Sequence, residues 1–412
     1  MITNFSELYK GDLESQQKRY ADLKVNFKDF FGYDEGIEFF SAPGRSEIGG
    51  NHTDHQRGCV LAASINLDII AAAAKREDGK ITLKSFEYKK YDIIDTADLS
   101  IKEEEKEKSS ALIRGVCARC VELGYKVGGF DCYTITNVLK GSGLSSSAAF
   151  EVLVVTVINH LFNDDKINPV EVAQIAQYAE NVYFGKPSGL LDQSASSVGG
   201  FTAIDFGDVK KPIFEKIDFD LNKYEHKLCV VDTGGNHADL TDEYAAIPIE
   251  MKKIAAHFGK EVLREVCEKD FYANLKTLRE EFGDRAVLRA MHFYDDNQTA
   301  QDEADALKAS DFELFKKYVV KSGHSSATKL QNVFCCKNVS EQGLTLALAI
   351  AEKILEGKGA YRVHGGGFAG TIQAYVPNDL LDEFKTEIEK VFGEGSCYIL
   401  SVRPVGGTKV LV

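Results

Sequence analysis

The spacing of apolar and polar positions changes character along the chain. Between residues 37 and 139, apolar runs such as IEFFSA, VLAASINLDIIAAAA and KITLKSF follow one another and predict mainly strands. The Asp78-Gly79 dipeptide before the last run predicts a tight hairpin. Residues 148–162 are apolar on nearly all sides, which is typical of a helix buried against a sheet. Further helical patterns occupy 168–184, 248–281, 298–320 and 341–357. The fold class is therefore predicted to be α+β.

The length of the chain and the positions of its glycine and proline residues predict more than one domain. A chain of 412 residues is too long for a single compact core. Glycine and proline separate patterned segments at SSVGGF and FGDVKKP, which places a boundary between residues 200 and 212. We expect an N-terminal α+β domain over 1–205 and a C-terminal α+β domain over 206–412.

Charge and cysteine usage exclude several classes of function. The 49 basic and 63 acidic side chains give a net charge of −14, which disfavours nucleic acid and anionic membranes as partners. The sequence shows neither a signal peptide nor an apolar run of about 18 residues, so we expect a cytoplasmic protein. The nine cysteines are dispersed, and most lie in apolar runs, which indicates buried thiols. Cys117 and Cys120 form a C-x-x-C pair without a second pair, which favours the buried face of a helix over a metal or redox site.

The segment KGSGLSSSAA at 140–149 runs directly into the apolar helix. Its glycines allow a ligand to approach the backbone, its serines can cap the helix and offer hydroxyls, and free N–H groups at a helix start favour phosphate. An ordinary serine-capped helix after a glycine turn is the alternative. The segment is not a Walker A loop, because no Gly-Lys-Ser/Thr follows at the required spacing.

Two further segments combine glycine with polar residues. VHGGGFAG at 363–370 contains a formal G-x-G-x-x-G, but the alternating TIQAYVP that follows predicts a strand instead of the helix that a dinucleotide fingerprint needs. A glycine loop between strands that lines a site remains possible. SAPGRSEIGGNHTDHQRG at 41–58 crowds polar side chains between two strand-like runs, which favours a ligand site over a solvated loop.

In this order and spacing, the segments resemble the galactokinases, which belong to the sugar, homoserine, mevalonate and phosphomevalonate (GHMP) kinase superfamily. SAPGR with GGNHTDH is similar to the galactokinase signature, GSGLSSSAA to the phosphate loop, and HGGGFAG to the third motif. Glu180 through PSGLLDQ at 187–193 is similar to the acidic catalytic segment. The resemblance implies a two-domain small-molecule kinase fold with the active site in the interdomain cleft. It also implies ATP and Mg²⁺, and transfer of the γ-phosphate of ATP to the anomeric hydroxyl of galactose.

The resemblance assigns roles to individual residues. Asp192 matches the catalytic aspartate and Arg45 the arginine beside it, which would keep the carboxylate ionised. Whether Asp192 removes the hydroxyl proton or only orients the hydroxyl stays open. Ser147 and Glu180 match positions that hold Mg²⁺, although Glu180 as an exposed helix residue is an alternative. The resemblance implies that the nucleotide is bound by Gly141, Ser142, Gly143, Leu144, Ser145, Ser146, Ser147, Gly366 and Gly367. It implies that the sugar is bound by Asn51, His52, Asp54, Gly189 and Tyr244. For Asp54 and Tyr244, a loop-capping carboxylate and a packed aromatic ring are the alternatives.

The signature departs from the family pattern at its sugar end. Galactokinases usually carry Glu-His-Thr-Asp-Tyr, with the glutamate accepting a hydrogen bond from the sugar 6-hydroxyl, whereas this chain has Asn51 and His55. It also has Glu47 in place of an asparagine and Ile247 in place of an arginine. Asn51, helped by His55 or Arg57, could accept a C6 carboxylate. The alternatives to galactose phosphorylation are therefore a kinase for a C6-altered relative such as galacturonate, and a non-catalytic sugar-sensing paralogue. We expect a monomer with only the sugar and ATP as partners.

Overall fold

The strands form two separate sheets. The structure is a computed structural model that describes residues 2–9, 12–138, 143–186, 188–235 and 240–412, with only the backbone at 241. Its strands are β1 (Ile2–Asn4), β2 (Glu38–Gly49), β3 (Cys59–Arg76), β4 (Lys80–Ser85), β5 (Asp92–Asp95), β6 (Gly129–Thr136), β7 (Phe201–Asp205), β8 (Ile213–Ile217), β9 (His226–Asp232), β10 (Ala360–His364), β11 (Thr371–Pro377), β12 (Cys397–Leu400) and β13 (Thr408–Leu411).

Helices cover both sheets, which confirms the α+β prediction. They are α1 (Phe5–Leu8), α2 (Leu13–Phe31), α3 (Ser109–Glu122), α4 (Ser146–Phe162), α5 (Pro169–Tyr178), α6 (Leu191–Val198), α7 (Thr241–His257), α8 (Glu268–Ala273), α9 (Leu275–Phe282), α10 (Asp284–Lys308), α11 (Phe312–Ser325), α12 (Gly343–Leu355) and α13 (Leu381–Phe392). A π-helical segment at Ala179–Phe184 continues α5. None of these helices has the length and apolar character that a bilayer crossing requires.

The large sheet carries the signature on its central strands. Its order is β1-β13-β2-β3-β6-β4-β5, with β7 and β8 added alongside β3. β2 contains SAPGRSEIG and pairs antiparallel with β3, with irregularities between Pro43 and Arg45 and between Glu47 and Gly49. Such irregularities re-aim side chains in a strand. The signature is therefore held in the middle of the sheet.

A buried ion cluster ties β3 to the two ends of the described chain. Asp68 is fully buried on β3 and accepts hydrogen bonds from Arg19 of α2 at 2.9 Å and from Arg403 at 3.0 Å. Arg403 also donates to the Ser41 hydroxyl at 2.7 Å. Burial acts to raise the pKa of Asp68, but the two guanidinium groups hold it below the usual value.

The small sheet, in the order β10-β11-β9-β12, supports the third glycine motif. β10 and β11 pair antiparallel and flank the turn at 365–370, which confirms the strand–turn–strand interpretation. The large sheet takes β8 and β13 from beyond residue 205, so the sheets do not divide at the predicted boundary. The limits 1–205 and 206–412 stay a prediction.

Several local predictions need correction. The Asp78-Gly79 turn does not make a hairpin, because β6 lies between β3 and β4 in the sheet. The strand-like region from 37 to 139 also contains the helix α3. The pattern predicted over 298–320 is two helices, since Ser310 adopts a left-handed conformation and the Asp311 side chain caps α11 through the Leu314 N–H. The pattern over 248–281 is likewise broken into α7, α8 and α9.

The cysteines follow the prediction. All nine are free thiols, and seven of them are buried. Cys117 and Cys120 lie on the inner face of α3, where burial raises the pKa of both thiols. Buried thiols of this kind are unreactive, so the C-x-x-C pair is part of the core.

Candidate active site

The phosphate loop ends where α4 begins. Gly141 and Ser142 lie outside the described residues, whereas Gly143, Leu144 and the three serines that follow are described. Ser145 is the N-cap residue in a left-handed conformation (φ 56°), and its side chain makes no cap hydrogen bond. The expectation that a serine caps this helix is therefore wrong at Ser145. The Ser145 side chain therefore leaves the N–H groups of the first turn uncapped. An anion site at a helix start requires such uncapped N–H groups.

Arg45 joins the signature to the phosphate loop and to the acidic catalytic segment. Its Nε donates to Asp192 Oδ1 at 2.7 Å, its Nη1 donates to the Gly143 carbonyl, and its backbone N–H donates to the Leu144 carbonyl at 3.1 Å. Three motifs that are far apart in the sequence therefore meet at one side chain.

Asp192 lies in the first turn of α6, facing the phosphate loop. The Ser145 hydroxyl donates to its Oδ2 at 2.5 Å, and 36% of its side chain is exposed. Burial acts to raise the pKa of Asp192, but Arg45, through its charge and hydrogen bond, holds it below the usual aspartate value with help from Ser145 and Lys186. The carboxylate is thus ionised at neutral pH and retains open lone pairs for a hydroxyl.

A second carboxylate group lies deeper in the site. Glu180 is buried, with Oε1 accepting from Lys186 at 2.9 Å and Oε2 accepting from the Gln193 amide at 2.8 Å. The alternative of an exposed helix residue is therefore wrong. The same Gln193 amide lies 3.1 Å from a carboxylate oxygen of Glu151, one helical turn beyond Ser147.

A divalent cation held beside Glu180 stays a prediction, which one buried oxygen supports. Glu151 Oε1 is buried without a hydrogen-bond partner, and burial together with Glu180 raises the pKa of Glu151 well above its usual value. Carboxylate oxygens are hard donors, and Mg²⁺ takes one or two carboxylates plus phosphates and waters. In the described part of the chain no group of three or more His, Cys, Asp or Glu side chains could hold a metal ion. Sequence reasoning missed Glu151, although a lone carboxylate in an apolar helix is a visible signal.

The sugar-binding candidates of the signature lie around the turn after β2. Asp54 accepts the His55 backbone N–H on Oδ1 at 2.9 Å, and its Oδ2 faces Gly189, where an added Cβ would come within 2.6 Å. His52 Nε2 lies 3.0 Å from the Gly366 carbonyl, while its Nδ1 is buried without a partner. Burial, with His55, lowers the pKa of His52 to about 4, so the ring is neutral. Asp54 and Gly189 are therefore close together, and sugar binding by them stays a prediction.

Asn51, which was predicted to bind the sugar, makes its side-chain hydrogen bonds within the protein. It is fully buried, its amide donates to Glu47 and to the Gly365 carbonyl, and its oxygen accepts from Asn332 at 2.8 Å. Arg57, the suggested helper, pairs instead with Glu261 and Glu265. The predicted contact of Asn51 with a C6 carboxylate therefore finds no support in these contacts.

The third motif contacts both the signature and the phosphate loop. Its first residue, His364, lies 3.1 Å from the Ser46 hydroxyl, and an added Cβ at Gly143 would come within 3.3 Å of its ring. Burial and the charge of Arg45 lower the pKa of His364 to about 3. The prediction of site residues left out His364, since its segment was read for its glycines alone.

Gly366 and Gly367 pack against the sugar end of the site. The Tyr244 hydroxyl donates to the Gly367 carbonyl at 2.6 Å, and the tyrosine ring lies edge-on to Phe368. Burial raises the pKa of Tyr244 to about 12. The contacts of these glycines run to Tyr244, His52 and Asn332, whereas nucleotide binding by them stays a prediction. Ile247, which replaces the usual arginine, is fully buried in the core beneath Tyr244.

The contacts among Arg45, Asp192 and the start of α4 fit a small-molecule kinase of the GHMP class. The family model "GHMP kinases N terminal domain" matches residues 111–200. Two solved structures under 25% identical share this fold: a mevalonate kinase (15% identity, TM-score 0.63, covering 89% of this chain and 99% of that one), and a D-glycero-D-manno-heptose 1-phosphate kinase from Bacteroides thetaiotaomicron (16%, 0.61, 91% and 99%).

Within that class the chain belongs to the galactokinases. The model "Galactokinase galactose-binding signature" matches residues 26–75. Galactokinases from Clostridium tetani and Streptomyces coelicolor are each 30% identical to the chain, the first over 90% of this chain and 92% of its own length, the second over 94% and 97%. A galactokinase of Lactococcus lactis complexed with galactose superposes with a TM-score of 0.81 at 25% identity, covering 95% of this chain and 100% of its own. The predicted family and fold are confirmed.

Proposed function

We propose that the chain transfers the γ-phosphate of ATP to the anomeric hydroxyl of galactose, with Asp192 and Arg45 at the reacting centre. Membership of the galactokinase family supports the reaction. The residue assignment rests on one observation. Asp192 accepts hydrogen bonds from Arg45 of the signature at 2.7 Å and from Ser145 of the phosphate loop at 2.5 Å.

Asp192 orients the sugar hydroxyl in this mechanism. Its lowered pKa makes it a weak base, so early removal of the hydroxyl proton is unfavourable. In a loose transition state the hydroxyl becomes strongly acidic only as its bond to phosphorus forms, and the carboxylate then accepts the proton. We therefore assign Asp192 to positioning first and to proton acceptance late.

Arg45 and the start of α4 stabilise the negative charge of the phosphate. Arg45 is 10% exposed at its side chain and is fixed by three hydrogen bonds, so little reorganisation is needed when charge develops beside it. The N–H groups of α4 face a phosphate with their partial positive charge. Ser147 and Glu180 would hold Mg²⁺, with Glu151 close by, and the cation neutralises charge on the phosphate oxygens when bound.

Galactose is favoured over the uronate alternative. The case for galacturonate depended on a free Asn51 amide, and both amide hydrogens of Asn51 are donated within the protein. No described contact favours the sensing alternative, whereas the contacts among Arg45, Asp192 and Ser145 support transfer. A monomeric state and a cytoplasmic location belong to the same proposal.

A coupled ADP-release assay tests the proposal. Galactose, galacturonate, glucuronate and N-acetylgalactosamine are compared with ATP and Mg²⁺, after subtraction of the sugar-free rate. We expect galactose to give the highest kcat/KM, and ³¹P NMR to show a 1-phosphate. Asp192→Asn serves as the matched inactive protein. Preference for a uronate, or sugar-independent ADP release alone, would contradict the proposed reaction.

A further inference from the structure

A second cation lies beside the reacting centre. Lys186 follows the π-helical segment Ala179–Phe184, and its Nζ donates to Glu180 Oε1 at 2.9 Å. Its positive charge also acts on Asp192 and Glu151. We infer that Lys186 is a phosphate-binding residue, whose ammonium pairs with Glu180 in the ligand-free protein and contacts the γ-phosphate of bound ATP, an assignment that rests on the proposed transfer from ATP.

The backbone around Lys186 is fixed by hydrogen bonds. Gly185 adopts a left-handed conformation (φ 88°), and the N–H groups of Gly185 and Lys186 both donate to the Glu180 carbonyl, at 3.0 and 3.1 Å. The Ser188 N–H donates to Asn181 Oδ1 at 2.7 Å. π-Helical segments are frequent at functional sites. The stem of the Lys186 side chain therefore starts from a fixed position beside Glu180.

The ammonium of Lys186 is able to change partners. The Glu180 side chain is 4% exposed, whereas that of Lys186 is 58% exposed. An ammonium has three donors, and among the described residues Glu180 uses one of them. An ion pair that water reaches is weak, so exchanging Glu180 for another anion costs little. Lysine is a point charge on a flexible stem, which suits it to bind a phosphate group.

The position of Lys186 indicates the γ-phosphate. The Gln193 amide donates to Glu180 Oε2 at 2.8 Å, so the pair of Lys186 and Glu180 is joined to the residue next to Asp192. Asp192 in turn accepts a hydrogen bond from Ser145 at the start of α4. A phosphate that is transferred to a hydroxyl on Asp192 has to lie between Asp192 and α4, and in ATP that phosphate is the terminal one.

Arg45 is largely committed to the protein. Its Nε donates to Asp192 and its Nη1 to the Gly143 carbonyl. The transferred group spreads its negative charge over three equatorial oxygens, and kinases place cationic groups around them. Lys186 approaches from the side of Glu180, whereas Arg45 projects from β2. The two cations can therefore contact different oxygens.

Metal-free nucleotide binding tests the contact, because it needs neither Mg²⁺ nor sugar. Isothermal titration calorimetry in EDTA compares ATP with ADP, which lacks the γ-phosphate. We expect Lys186→Met to weaken ATP binding by about 10- to 100-fold and ADP binding by less than about threefold. Lys186→Arg keeps the charge and should retain most of the ATP affinity. Lys166→Met is the control, since Lys166 is exposed and pairs with Asp164 beyond the far end of α4, and both affinities should stay unchanged.

The difference between the two nucleotides separates a phosphate contact from a structural ion pair. Equal weakening of ATP and ADP binding in Lys186→Met, or unchanged ATP binding, would overturn the γ-phosphate contact. If Lys186→Met lowers the unfolding midpoint, Lys186→Gln against Lys186→Arg gives the same comparison with side chains that keep a polar end. A protein that shows the difference between ATP and ADP but does not phosphorylate galactose would refute the proposed reaction and leave the role of Lys186 supported.

The pairing with Glu180 is tested by a double-mutant cycle in the same titration. Once Glu180 no longer competes for the ammonium, ATP should bind more tightly, so we expect Glu180→Gln to strengthen metal-free ATP binding. The gain should be at least about threefold larger with Lys186 present than in Lys186→Met. Equal gains in the two backgrounds would show that Glu180 acts only through its negative charge, and would overturn the pairing.

Discussion

Replacing Gly189 with alanine tests the sugar end of the site without changing any ionisable group. The added Cβ would lie 2.6 Å from Asp54 Oδ2, where ordinary contacts begin at 3.4 Å. The backbone at Gly189 has no positive φ, and the obstructing atom is the end of a side chain, so the fold can accept the methyl group. Only the Asp54 carboxylate has to move.

The size of the effect follows from that displacement. Moving Oδ2 by about 0.8 Å lengthens a hydrogen bond of about 2.7 Å to about 3.5 Å, which is too long to retain its strength. Since a hydrogen bond to a charged group contributes about 1.5–3 kcal/mol, kcat/KM for galactose should fall by about 10- to 100-fold. The loss should appear mainly as a higher KM for galactose, because the contact exists in both the ground state and the transition state.

Steady-state ADP release at saturating ATP measures this change, with KM for ATP as an internal reference. Gly207→Ala is the matched control, because its Cβ would approach a carboxylate oxygen of Asp205, at 3.2 Å, on an exposed turn outside the site. An unchanged galactose KM in Gly189→Ala, with the unfolding midpoint of the wild type, would show that Asp54 does not hold the sugar.

Three other substitutions probe the remaining assignments. Asp192→Asn should lower kcat by about 10²–10⁴ in steady-state assays while both KM values are largely kept, and turnover at the parent rate would contradict its role. Glu180→Gln should raise the Mg²⁺ concentration needed for half-maximal rate and not the galactose KM, so an unchanged Mg²⁺ titration would refute the ligand assignment. Asp68→Asn should cost about 3–5 kcal/mol in urea unfolding at neutral pH, because Arg403 stays buried without its partner. Since the folded pKa of Asp68 is depressed, its contribution is present above the ordinary value of 3.8 and is lost as pH falls, and a variant equally costly near pH 3 would contradict this.

The sequence was informative where local pattern and local structure coincide. The apolar run at 148–162 became α4, and the alternation of TIQAYVP became β11 beside a glycine turn. The motif order also predicted that Arg45, Ser145 and Asp192 lie together, and their side chains are in contact, whereas their roles stay predictions.

The features that could not be predicted from the sequence depend on contacts between distant segments. Asp78-Gly79 has the composition of a hairpin turn, but the choice of β6 as the neighbour of β3 is made by sheet packing. The partners of Asn51, Gly365 and Asn332, lie far along the chain, so the sequence does not show that its amide is already hydrogen-bonded. Glu151 stands out in the sequence as a carboxylate in an apolar helix, but its link to Glu180 through Gln193 depends on contacts between distant segments.

The position of β13 has a consequence for how the chain folds. β13 lies between β1 and β2 in the large sheet, so the strand that carries Arg45 pairs with residues from almost the other end of the chain. Closing so long a loop is entropically costly and slow. During synthesis β2 therefore presents an open edge to other chains until residues 408–411 are made, and an open edge invites mispairing. We therefore expect the pairing of β2 with β13 to form late in folding.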